Sequence, residues 1–359
     1  MKQIIPMRRF PLLAVMALLA FAACKSDVTT PTNTYKIRKN IKDLSTQEKQ
    51  NYVDAVLKMK TTTSPYDPGL NYYDQFVAWH REAFACNNGA AHMGPAFLPW
   101  HRQFLLLFEK ALNDVNPGKN ITIPYWDWTD TTSTQAVFAN DFMGGGGDSA
   151  HTYAVMTGPF QKGQWTLNIT DPPEVAPIQY TWLTRGIGTY KKGGLPTVTQ
   201  INYMLARPEY DVAPWSYRSD TDQSFRNFLE GWRGCYDTND CTAGWMTPNR
   251  CKSDTIWSSK MHNVVHLWVG GVWHDSVGGT MTLNTSPNDP VFWIHHSNID
   301  RMWVAWAKRH PNSYQPQTGG PNGHNYKDVM WPWTLYGLNI TPEKMMSSDS
   351  LGYQYSVVP

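Results

Sequence analysis

The chain has 359 residues, with Lys+Arg 31 against Asp+Glu 29 and a formal net charge of +2. That balance excludes a surface built on excess basic charge for nucleic acid, and it excludes an acidic solvating tail. Charged residues make up 17% and aromatics 13% of the chain. This is the reverse of a disordered composition, with enough apolar material for a sizeable core.

The elements follow in chain order. Lys2, Arg8 and Arg9 precede an apolar run from Phe10 to Ala23, which ends in Ala22-Ala23-Cys24. The run fits the hydrophobic part of an export signal over 1–23 and is short for a membrane span. The small-small-Cys ending is that of a lipoprotein signal, which predicts a lipid anchor at Cys24. The protein is then exported and held at a bacterial membrane, in the periplasm or at the cell surface; the alternative is an ordinary cleaved signal and a secreted protein. Residues 24–34 are a polar tether. In an exported chain Cys86, Cys235, Cys241 and Cys251 suit two disulfides, with three pairings open.

Ser45 with Glu48 forms a capping box, predicting a helix with Tyr52, Val53, Val56 and Leu57 on one face. Residues 71–85 predict a second helix. Pro99-Trp100-His101 opens a third, with Gly118 beyond its end. Residues 136–220 are rich in Gly, Pro and Thr and predict mostly loop with short strands. Helices are predicted over 222–233 and 256–269. A final one is opened by Asp289-Pro290, with Asp as cap. The expected fold is mainly α: a core four-helix bundle surrounded by long irregular loops and a few short strands.

The eleven histidines carry the chemistry. His262 and His266 are four apart, which stacks them on one helix face as two ligands of one metal. His295 and His296 follow on the last helix. One of them completes a trio, and the other turns aside behind it. His80 lies on the second helix, while His92 and His101 bracket MGPAFLPW. These three form a second trio. Imidazole sets suit copper, zinc, iron or nickel. No carboxylate cluster or H-E-x-x-H accompanies them, which argues against a di-iron site and a zincin protease. Two trios of neutral ligands point to a dinuclear copper site and dioxygen.

The chain resembles the type 3 copper proteins, and among them the tyrosinases of the streptomycete type. The stretches that carry the resemblance are RKN at 38–40, YDQFVAWH at 73–80, AFLPWHRQFLLLFE at 96–109 and IPYWDW at 123–128. They continue with FRNFLEGWRG at 225–234, MHNVVHLWVGG at 261–271, SPNDPVFWIHHSNIDRMWVAW at 286–306 and Tyr353-x-Tyr355. The resemblance implies a copper-binding catalytic domain over 35–359. One ion is held by His80, His92 and His101, the other by His262, His266 and His295. It implies ortho-hydroxylation of small monophenols and oxidation of o-diphenols to o-quinones with dioxygen, leading to melanin. Glu230 and Asn263 match the pair that holds a proton-accepting water. A separate copper-delivery helper protein is also implied. The alternatives are a catechol or o-aminophenol oxidase without monophenol hydroxylation, and a haemocyanin-like oxygen carrier.

Overall fold

The computed structural model describes residues 35–84, 91–176, 178–191, 193–231, 261–273, 277–311 and 313–359. The predicted export signal, the predicted tether and all five cysteines lie outside them.

Strand β1 (Lys36–Arg38) leads to helix α1 (Thr46–Met59). The capping box forms as expected: Glu48 N–H donates to Ser45 Oγ at 3.2 Å and Ser45 N–H to Glu48 Oε2 at 2.9 Å. Tyr52, Val53 and Val56 are buried, while Leu57 is half-buried. Helix α2 (Tyr72–Phe84) places nearly every side chain inside. Helix α3 (Phe97–Val115) starts two residues ahead of Pro99. Proline is tolerated there because first-turn N–H groups have no intrahelical partner.

The middle of the chain carries helix α4 (Thr131–Val137) and strands β2 (Gly147–Asp148) and β3 (Ala154–Val155). It also holds helix α5 (Val198–Leu205), within a stretch expected to be mostly loop with short strands. Its signal was local: Thr197 and Gln200 form a second capping box. Helix α6 (Phe225–Glu230) lies within its predicted range, and helix α7 (Met261–Gly270) ends one residue beyond the predicted 269. Strands β4 (Val272–Trp273) and β5 (Val277–Gly278) form a hairpin. Helix α8 (Val291–Arg309) begins after Asp289-Pro290. Asp289 Oδ1 accepts from Val291 N–H, and the same carboxylate is gripped by both ends of the buried Arg185 guanidinium at 2.7 Å. Strand β6 (Tyr353–Tyr355) closes the unit by pairing in parallel with β1.

The compact unit spans Tyr35–Pro359. Its centre is aromatic. Trp293 stacks on Phe108 at 3.5 Å and 4°, and Phe76 meets Phe104, Phe108 and Trp293 within 5.5 Å. Large rings in two orientations hold α2, α3 and α8 at fixed rotations. Those rotations decide which way the histidines point. Among the described residues no helix is long and apolar enough to cross a membrane.

Candidate metal centre

His80 comes from α2, His101 from α3, His262 and His266 from α7, and His295 and His296 from α8. His92 alone sits on a loop, at 91–96. All seven are buried. Two groups of ligand atoms result: His80, His92 and His101, and then His262, His266, His295 and His296. Within each group the ligand atoms lie within 4.8 Å of one another. The groups adjoin: the rings of His101 and His296 stack at 4.2 Å and 13°, and those of His92 and His262 are 5.9 Å apart.

Backbone carbonyls orient three of these rings and a side-chain oxygen a fourth. The Nδ1–H of His80 donates to Asn284 O at 2.6 Å, that of His101 to Phe97 O at 2.9 Å, and that of His266 to Met281 O at 2.7 Å. His262 Nδ1–H donates to Asn263 Oδ1 at 2.8 Å. A donor on Nδ1 leaves the Nε2 lone pair free for a metal. His80 Nε2 and His101 Nε2 are buried without a hydrogen-bond partner among the described residues. Buried polar atoms normally find partners, so these orphans fit a metal ion. Burial also keeps the rings neutral: it pushes His80 down to about 3 and His266 to about 4, and holds the others well below the ordinary range. A neutral, all-nitrogen donor set in a dry pocket suits copper.

On α7 and α8 both His295 and His296 join His262 and His266, where the sequence expected His295 as the ligand. His296 Nε2 lies 3.3 Å from His262 Nε2 and 3.4 Å from His266 Nε2. Atoms about 2 Å from a common ion stand about 3.3 Å apart at tetrahedral angles. His296 Nε2 therefore stands at the separation that a third ligand atom beside His262 and His266 would take. His295 lies beside it, its ring 5.2 Å from Trp128 and 4.8 Å from His266.

Glu230 and Asn263 both reach this region. Glu230 is the last residue of α6, and its carbonyl oxygen is 3.4 Å from His262 Nδ1. Its carboxylate accepts from Met93 N–H at 2.6 Å and from Arg226 Nη1 at 2.9 Å. The backbone carbonyls that orient the rings were invisible in the sequence, because a carbonyl carries no residue identity.

Paired imidazole sets in a helical bundle define the class of type 3 dinuclear copper proteins. The sequence profile of the common central domain of tyrosinase matches residues 70–309. The chain is 39% identical over 306 residues to a tyrosinase of Streptomyces antibioticus, covering 83% of this chain and 92% of that protein. It is 33% identical over 324 residues to the grixazone synthase of Streptomyces griseus, covering 83% and 93%. A polyphenol oxidase of Thermothelomyces thermophila shares the fold with a TM-score of 0.59 at 22% identity, over 91% of this chain and 90% of that one. The chain belongs to the tyrosinase family.

Proposed function

We propose that the protein is a tyrosinase, which ortho-hydroxylates monophenols and oxidises o-diphenols to o-quinones with dioxygen. The observation that carries this reading is the contact between two buried imidazole groups, with His101 stacked on His296 at 4.2 Å. His80, His92 and His101 would hold one copper ion, and His262, His266 and His296 the other. When bound, the pair supplies dioxygen activation and two-electron redox chemistry.

The chain's own residues do the rest. The carbonyls of Asn284, Phe97 and Met281 fix ring orientation before any metal arrives. Phe97 and Phe292 pack against rings of both groups and exclude water between them. A phenol of pKa about 10 must lose its proton to bind metal. Glu230 and Asn263 flank His262, and we assign them the water that takes this proton. Donors already engage both carboxylate oxygens of Glu230. That engagement favours the second reading, an oxidase confined to o-diphenols or o-aminophenols.

Oxygen uptake by the copper-loaded protein with tyrosine and with DOPA separates the readings. Turnover of both is expected. Turnover of DOPA alone selects the second reading, and reversible oxygen binding without turnover rejects both. Glu230→Gln should slow tyrosine hydroxylation at least about tenfold more than DOPA oxidation; an equal loss removes its assigned role. The remaining assignments are export by residues 1–23, a lipid anchor at Cys24, copper delivery by a helper protein, and melanin as downstream product. They rest on the sequence and the family resemblance.

A further inference from the structure

We propose that His324 is a positioning residue, which together with Glu230 and Tyr210 clamps the 91–96 loop and so presets His92 for the first copper ion. The inference rests on His92 being a ligand, as assigned above. His92 is the one ligand in that assignment without a helix to hold it. The next residue, Met93, adopts a left-handed backbone (φ 62°), which a non-glycine residue keeps only when its surroundings enforce it. Three side chains from separate segments supply that enforcement. Glu230 Oε1 accepts from Met93 N–H at 2.6 Å, Tyr210 Oη donates to Pro95 O at 2.6 Å, and His324 Nδ1 accepts from Ala96 N–H at 3.2 Å.

The third contact does two jobs. Ala96 caps α3 without any side-chain hydrogen bond of its own, and His324 provides the acceptor. The imidazole also fills the space beside Gly94. A Cβ built there would lie 2.7 Å from His324 Cε1 and 2.8 Å from Nδ1, and the nearest atoms it meets all belong to that ring. The clamp residues brace one another. Tyr314 Oη donates to His324 O at 2.7 Å, its ring lies 4.5 Å from Tyr210, and buried Arg226 ties Glu230 to Asp211. Burial, aided by the nearby Arg226 charge, pushes His324 down to about 4, so the ring stays neutral and able to accept.

The test uses the full mature chain. Amide exchange is read on the metal-free protein, and copper release to a chelator is read on the loaded one. His324→Leu should speed exchange at Gly94 and Ala96 and release the first ion about 10-fold to 100-fold faster. His324→Gln, whose amide oxygen restores an acceptor, should recover most of the loss. Gly94→Ala should reproduce the His324→Leu effect alone and add nothing to it in combination. Placed in a His296→Ala background, His324→Leu should hasten loss of the remaining first ion. In a His80→Ala background the second ion should leave at its usual rate. Equal loss from both sites, or a lowered unfolding temperature with unchanged exchange at 94–96, would overturn the inference. Wild-type protein unable to hold two ions would instead refute the ligand assignment, with the exchange data still judging the clamp.

Discussion

At the scale of single residues, the adjacent pair His295-His296 shows how little separates a ligand from a neighbour. Successive helical residues point about 100° apart, so the two imidazoles of α8 meet those of α7 from different sides. The Nε2 separations of 3.3 and 3.4 Å select His296. His296→Ala should reduce bound copper from two ions per chain to one and cut turnover at least about 100-fold. His295→Gln should keep both ions. Metal analysis of the two variants decides, and loss of an ion in His295→Gln alone would restore the original assignment. The i,i+4 spacing of His262 and His266 was legible because helix geometry is local. The choice within His295-His296 was not, since it depends on how α8 is rotated in the bundle by rings such as Phe108, which stacks on Trp293.

Among the elements, a helix's own cap did not decide whether the sequence announced it: α5 carries a capping box at Thr197 and Gln200 that went unread, while α3, signalled by Pro99, has no side-chain cap. Ser45 and Glu48 announced α1, whereas α3 begins at Ala96 with its free N–H met by His324, 228 residues away. The segment before α8 depends on a similar distant contact. Asp171 accepts from Thr285 N–H and Oγ1–H at 3.3 Å, next to the Asn284 carbonyl that orients His80. Burial pushes the Asp171 carboxyl up to about 6. The folded state therefore keeps this proton where the unfolded chain releases it, between about pH 4 and pH 6. Stability from the group is full below that window and is lost as pH rises through about 6. Asp171→Asn should remove this dependence, gaining up to about 3 kcal/mol relative to wild type on going from pH 4 to pH 7. Urea unfolding at the two pH values measures it, and a pH-independent difference between variant and wild type would contradict the assignment.

For the whole molecule, metal and fold are linked without being inseparable. The aromatic centre and the pairing of β1 with β6 owe nothing to copper. Arg38 bonds to Glu109 and Tyr355, and the hydroxyls of Tyr353 and Tyr355 meet on Asp300, closing both ends of the unit onto α3 and α8. Chelation should leave a folded protein whose unfolding free energy falls by about 4 kcal/mol for each of the two ions relative to protein held at a thousandfold excess of copper over Kd. Circular dichroism melts with and without chelator test this, and collapse of the helical signal at 25 °C would show that the metal is needed for folding. The sequence by itself determined the helical class, the i,i+4 ligand pair and the histidine-rich stretches, because these depend on spacing along one chain. Only the tertiary structure decided which imidazole of the last helix converges with its partners and what steadies the loop of His92. Those outcomes depend on the relative rotation of packed helices and on contacts between segments far apart in the chain.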